Sequence, residues 1–298
     1  MTPAARQTGR RFFTWTLRIL YVITLLSFGY FLITGIGFYL TPLNERPHHE
    51  LFRFLKPGGL RSHGLGITGS LMLVLLLLYS LRKRWSYMRS MGSLSNWLNV
   101  HIFFGICGPL FIILHSTLKL NGLVAVAFWA MLAVALSGVL GRYLYLQIPR
   151  NIMGNELSLQ EVEEVNKNLT LQLQQQFGLE TREIQSIEAE FLNTKASSHG
   201  LGLLLLDLLA GDLKRFSRSN RIKKLLTRQY HLPARDSAEL LRLLKQQAQI
   251  SRRIMLWNKI HQLFHYWHVF HKPFALIMYI IMVVHIGIAL WLGYRWIF

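Results

Sequence analysis

The chain has 298 residues, 52% of them hydrophobic and 16% charged, with a formal net charge of +19. Apolar runs are too long and too frequent for a water-soluble domain of this size, so the chain reads as a polytopic membrane protein in a lipid bilayer. A charge of this sign would point to nucleic acid in a soluble protein. Here the basic residues sort by loop beside apolar runs and anionic headgroups, so no nucleic-acid partner is needed to explain them.

Windows of about 20 apolar residues place five spans near 16–40, 65–81, 98–118, 124–146 and 269–292. Arg10-Arg11 and FFTW ahead of the first resemble a twin-arginine export signal. The apolar run behind them is too long for a signal core, and no small-residue cleavage site follows, so it reads as an uncleaved span. Arg6, Arg10 and Arg11 precede this span, Arg82, Lys83, Arg84 and Arg89 join the second to the third, and most other Lys and Arg lie between 150 and 260. Threading the spans in order puts all three regions on one side, which the Lys/Arg excess in short loops marks as cytoplasmic. The outer loop from 41 to 62 holds Arg46, Arg53, Lys56 and Arg61, which weakens the asymmetry without reversing it. The expectation is a multi-pass protein of a bacterial inner membrane, N-terminus cytoplasmic and C-terminus, GYRWIF, periplasmic.

The expected fold is all-α: five transmembrane helices forming a bundle, with a cytoplasmic helical insert between the fourth and fifth spans. Residues 1–149 hold spans one to four, 150–260 the insert, and 261–298 the fifth span that completes the bundle. Inside the insert, Ser158 and Glu161 make a capping-box start and Gly178 a stop. ETREIQSIEAEFL, GLLLLDLLAGDLKRF and DSAELLRLLKQQAQISRRIMLW read as further helices, with HLPARD as a breaker before the last. The LGLLLLDLL run is too short to span, and packing inside a small helical domain is preferred over lying on the membrane face. No GxxxxGK[ST] or GxGxxG follows a strand, which argues against a built-in nucleotide or flavin domain.

The third span, HIFFGICGPLFIILH, is apolar except for His101 and His115 at its ends, fourteen positions apart. Its Cys107 is the chain's one cysteine, which excludes an internal disulfide, a c-type haem attached through CxxCH, and a cysteine-ligated iron–sulfur cluster. The fifth span repeats the spacing in HKPFALIMYIIMVVH, with His271 and His285 again fourteen apart. Nearly four helical turns put each pair on one face with imidazoles ~21 Å apart along the axis. One crossing and the insert separate these spans, so they run parallel. His101 then faces His271 near the cytoplasm, and His115 faces His285 near the outer surface.

Two level pairs of imidazoles on facing helices are what two stacked b-type haems require. Low-spin iron takes one neutral imidazole on each side and keeps no open position, which suits electron transfer. Gly105 and Gly108 would let a flat ring approach the third span, and Gly138 and Gly141 do the same on the fourth or simply permit close helix packing. A single intramembrane histidine is more readily a hydrogen-bonded packing residue; two equally spaced pairs on parallel spans are hard to reach by accident. His261, His265 and His268 fit an interfacial aromatic–histidine belt, ahead of a metal site or haem-propionate contacts. His268 is the rival of His271 as a ligand, but its spacing to His285 rotates it off the shared face. His63 opens the second span, either as a quinone or substrate contact or as a helix cap, the cap being preferred. His48 and His49 read as solvated.

Paired His-x13-His on two parallel spans is similar to the transmembrane cores of ferric reductases and NADPH oxidases, and such spacing also occurs in the b cytochromes of respiratory quinol complexes. The matching residues are His101, His115, His271 and His285, and the resemblance covers the third to fifth spans. It implies two haems in a helical bundle passing electrons across the membrane. The chain departs from ferric reductases in having no flavin and nicotinamide domain after its last span, and in its long insert. GSLMLVLLLLYSLRKR, SGVLGRYLYLQIPR and HVFHKPFALIMYIIMVVHIGIALWLGYRWIF also look like a family of bacterial membrane proteins with no assigned activity.

The expected function is transmembrane electron transfer through two bis-histidine haem b groups. A cytoplasmic redox protein, acidic to suit the basic surface, would dock on 150–260. A periplasmic cytochrome, a quinone or a metal ion would exchange electrons at the outer face. The alternatives are a quinol-oxidising cytochrome b subunit, a histidine-lined metal transporter, and a membrane anchor for a soluble partner.

Overall fold

A computed structural model describes residues 3–119, 121–150, 156–191, 200–213, 220 and 234–293. The HLP half of the HLPARD breaker and the GYRWIF terminus beyond Gly293 fall outside these residues. Among the described residues the chain is helical, with no strand beyond an isolated Arg150–Glu156 bridge. The helices are α1 (Pro3–Leu40), α2 (Phe52–Leu55), α3 (Leu60–Leu75), α4 (Leu77–Arg84), α5 (Leu94–His115), α6 (Gly122–Gln147), α7 (Leu159–Phe177), α8 (Thr181–Phe191), α9 (Leu201–Leu213), α10 (Ala234–Met255) and α11 (Trp257–Trp291). Five stretches are long and apolar enough to cross a membrane: Arg11–Leu40, Phe52–Arg84, Leu94–His115, Gly122–Gln147 and Trp257–Trp291. The chain divides into two compact units, residues 1–141 with 267–298, and residues 142–266.

In the first unit α3 and α5 are the most closely packed helix pair. Glycines permit the approach: a Cβ on Gly69 would stand 3.1 Å from the Gly108 carbonyl oxygen, and one on Gly108 3.2 Å from Met72 Cβ. Phe38, Tyr39, Leu55, Leu65, Phe111 and Leu114 form one core among α1, α2, α3 and α5. A second gathers Leu73, Leu76, Phe128, Met131 and Met278 from the α3 end, α6 and α11.

The second span begins earlier than the hydropathy window places it. The helix starts at Leu60, with Gly59 at the N-cap. His63 therefore lies inside the first turn and does not cap the helix: the glycine's extended backbone (φ −73°, ψ 149°) makes the start without a side-chain bond. The same span breaks at Leu76, between α3 and α4, where the Tyr79 N–H donates to the Leu76 carbonyl only three residues back. No glycine or proline marks this break. Side chains from two other helices take its carbonyls, a recognised cause of interruption in a helical ladder: Tyr279 donates to Leu73 O at 2.5 Å and His101 Nδ1 lies 3.2 Å from Leu76 O.

Arg46, read from the sequence as one more outer-loop charge, is buried. Its guanidinium donates to the carbonyls of Tyr39 (2.9 Å), Thr41 (2.9 Å) and Thr117 (2.5 Å), joining the end of α1 to the turn after α5. A cation there opposes the negative end of a helix dipole. Thr117 and Leu118 in that turn have φ of 49° and 58°, unfavourable for side chains branched or bulky at Cβ.

In the second unit the expected capping box is present: Ser158 Oγ accepts from Glu161 N, and the Glu161 carboxylate accepts from Ser158 N at 2.7 Å. Gly178 ends α7 in the left-handed region at φ 66°, as its identity implies. Leu169, Leu173, Leu179, Ile184, Leu240 and Leu244 close a core among α7, α8 and α10. Ile148, Leu204, Leu208, Leu256 and Ile260 form a second one involving α9.

Candidate functional site

The four histidines of the two spans lie in the first unit, and the fold brings them together in pairs. The rings of His115 and His285 meet edge-on, with centres 6.4 Å apart and planes inclined by 63°. His271 lies within electrostatic reach of His101. Pairing in this order along both helices means that α5 and α11 run in the same direction, as the spacing argument expects.

What else touches these rings decides which nitrogen carries the proton. His115 Nδ1 is 2.8 Å from the Ser62 carbonyl, and His101 Nδ1 is 3.2 Å from the Leu76 carbonyl. A carbonyl can only accept, so both Nδ1 atoms carry hydrogen. His271 Nδ1 is 2.8 Å from Ser137 Oγ, whose own hydrogen goes to the Val134 carbonyl at 2.9 Å. The Ser137 hydroxyl thus bonds the His271 ring and the Val134 carbonyl from one oxygen, and holds the ring in place through Nδ1. In the neutral state the rings of His101 and His115 therefore present an unprotonated Nε2. Such a contact at the other nitrogen is the usual companion of a metal-ligating imidazole, because it fixes ring orientation and raises basicity.

The supports are themselves built. Ser62 Oγ donates to the His115 carbonyl at 2.9 Å while the Ser62 carbonyl takes the His115 ring, a reciprocal clamp between α3 and α5. Any Cβ at Gly66 would fall 2.6 Å from His115 Nδ1, so only glycine admits the ring there. On α6, the Ser137 carbonyl accepts from Trp267 Nε1 at 2.7 Å, and the Trp267 ring fills the space that a side chain at Gly141 would need. Trp267 in turn lies 4.9 Å, centre to centre, from His271.

The residues fit a metal held between facing imidazoles. With metal–nitrogen bonds of about 2.0 Å, an ion held end-on by two imidazoles keeps their ring centres roughly 6 Å apart, the separation found for His115 and His285. A site with two protein ligands and no carboxylate or thiolate is suited to a metal whose remaining ligands come from a macrocycle. Among the described residues no group of three or more His, Cys, Asp or Glu side chains is placed to hold a metal ion.

The remaining candidates take other places. Gly108 turns to α3, and a Cβ on Gly105 would meet Leu76 at 3.7 Å, so both glycines border the α3–α4 side of α5. Gly138 borders the His271 ring at 3.9 Å. His268 stacks edge-on with Trp267 at 4.5 Å and lies within electrostatic reach of His271. His63 is within reach of both His115 and His285. In the other unit, His261 bonds the Trp257 carbonyl at 2.8 Å and the Glu156 carboxylate at 2.6 Å, so both its nitrogens are engaged, whereas His265 borders an open pocket with Asn258, Gln262 and Tyr266. His49 is half-buried, its Nδ1 accepting from Leu51 N at 3.1 Å.

Ser62, Gly66 and Ser137 were not singled out from the sequence. Ser62, Gly66 and Gly69 in RSHGLGITG do carry a signal, a stripe of small residues one helix turn apart of the kind that marks close packing in membranes. Ser137 carries none. Comparison of the chain with protein-family models, curated proteins and solved structures finds no match.

Proposed function

We propose that this protein is a di-haem b-type membrane cytochrome that carries electrons between the two faces of a bilayer, one haem between His101 and His271 and the other between His115 and His285. The observation that carries the reading is the pair of Nδ1–H contacts from His101 and His115 to the Leu76 and Ser62 carbonyls, which leave Nε2 as the ligating nitrogen on both. His101 with His271, and His115 with His285, would each hold one haem, which would supply one-electron transfer chemistry. The chain's own residues hold the rings: carbonyls at the α3–α4 break and the start of α3 orient those of α5, and a hydroxyl on α6 orients His271. Apolar walls keep water from both centres. The resemblance to the cores of ferric reductases and NADPH oxidases supports the same reading.

In this reading the membrane is a bacterial inner membrane and the N-terminus is cytoplasmic. The segment 150–260 receives an acidic, soluble redox partner, and a periplasmic cytochrome, a quinone or a metal ion exchanges electrons at the outer pair. The test is a reduced-minus-oxidised optical spectrum of the purified protein with haem quantified per chain. Two b haems per chain are expected. A colourless protein from haem-sufficient cells would remove the reading and leave the transporter and anchor alternatives.

A further inference from the structure

Helix α9 is apolar on two faces, and the described residues cover only one. Leu204 and Leu208 are 0% and 2% exposed, and pack on Ile148, Leu256 and Ile260 with Tyr143, Leu263 and Phe264 around them. One turn further on, Asp212 continues this face. Its carboxylate accepts from Tyr143 (2.8 Å), Gln147 (3.3 Å) and Arg252 (2.8 Å). On the other side Leu203, Leu206 and Leu213 are 58%, 60% and 84% exposed.

The residues under the buried face say what faces the exposed one. Tyr143 and Gln147 occupy the last turns of the span Gly122–Gln147, and Ile260, Leu263 and Phe264 the first turns of Trp257–Trp291. The latter span has 35 residues, about 52 Å of helix, against a hydrocarbon core of about 30 Å. Its first turns, WNKIHQLFHYWH, are dense in aromatic and histidine side chains, the composition of a span end at headgroup level. A helix fastened to the ends of two spans lies at that same level. The chain after α9 then carries Lys214, Arg215, Arg218, Arg221, Lys223, Lys224 and Arg228, with no carboxylate between Asp212 and Asp236. A basic run beside an apolar helix complements anionic lipid headgroups.

We infer that α9 is an interfacial anchor. It lies in the headgroup plane, sinks Leu203, Leu206 and Leu213 into the acyl region of an anionic leaflet, and is moored to the span ends by Leu204, Leu208 and Asp212. This does not depend on the haem reading.

The test uses the full chain in phosphatidylcholine vesicles with and without phosphatidylglycerol. Leu206→Cys carries an environment-sensitive fluorophore, and Leu213→Cys is an independent second reporter. Gln185→Cys, exposed on the acid-rich α8, serves as the water reference, and the unsubstituted chain, whose Cys107 is buried, gives the labelling background. Nitroxide-bearing lipid should quench the α9 reporters several-fold more than the reference, more strongly when phosphatidylglycerol is present, with iodide quenching in the reverse order. Lipid quenching no greater than at Gln185 overturns the proposal. So does shielding from iodide that ignores nitroxide lipid and fades as protein is diluted into lipid, which would mean that a second copy of the chain covers the leucines.

Discussion

In the unit built from residues 1–141 and 267–298, four polar side chains bond to backbone, while His271 bonds the Ser137 hydroxyl. Arg46 takes three carbonyls, Tyr279 one, and His101 and His115 one each. In the unit of residues 142–266 side chains bond to one another: Asp212 with Tyr143, Gln147 and Arg252, Gln247 with Thr170, and Ser251 with Asn166. The acids explain the difference. Of the 14 acidic residues only Glu45 and Glu50 fall in the first unit, and Arg46, His101 and His115 find carbonyl partners at helix ends and breaks. Lipid offers no other acceptor, and helix ends and breaks are where a helical ladder leaves carbonyls over. Arg46, Tyr279, His101 and His115 thus mark departures from regular helix, whereas Asp212 in the second unit marks a side-chain network.

Four experiments test this contrast. The largest effect is expected from His115→Ala or His285→Ala, each of which should lower haem content from two to one per chain. Haem assay of the purified variants checks it, and unchanged content would detach the ring geometry from haem binding. Next is Arg46→Ala, which strands three buried carbonyls and releases the left-handed turn at Thr117. A loss of about 2–4 kcal/mol is expected, read as a lower midpoint of thermal unfolding in detergent, and Arg46→Lys should recover little because one ammonium cannot serve three directions.

A smaller effect, confined to the second unit, is expected at Asp212. Burial opposes its ionisation, but the hydrogen bond and charge of Arg252, with hydrogen bonds from Tyr143 and Gln147, outweigh it and hold the carboxyl below its ordinary 3.8. A depressed folded-state value stabilises at pH above the ordinary one, and the contribution disappears as pH falls through the lowered value. Amide exchange in α9 should therefore rise in acid below the ordinary carboxylate range. Asp212→Asn should raise it already at neutral pH and flatten the acid response; an unaltered acid response would assign it to other groups. The smallest effect is that of Ser158→Ala, which removes one side of the α7 capping box at a cost of about 1 kcal/mol, measurable as faster exchange in the first turn of α7 with haem content unchanged.

Much of the span pattern was legible because apolar length is a local property. The histidine spacing was legible for the same reason: a period of fourteen on a helix fixes the face without knowledge of the neighbour. The capping box and Gly178 were also visible, since caps act over three or four residues. The start of α3 was missed because Leu60 and Arg61 lie outside the most apolar window. The break at Leu76 was invisible because its cause sits on α5 and α11. His63 failed as a cap, and Arg46 as a solvated charge, because both readings assumed that a loop residue answers only to its own segment.

The sequence alone determined that the chain crosses a membrane, that its described elements are helices, and that two spans each place two histidines on one face. These follow from composition and helical period, which need no partner. What packing alone settles is which nitrogen of His101 and His115 is protonated, that Gly66 rather than a larger residue must face His115, and that Arg46 joins two helix ends. Those depend on groups supplied from α1, α3 and α5, distant in sequence and brought together by packing.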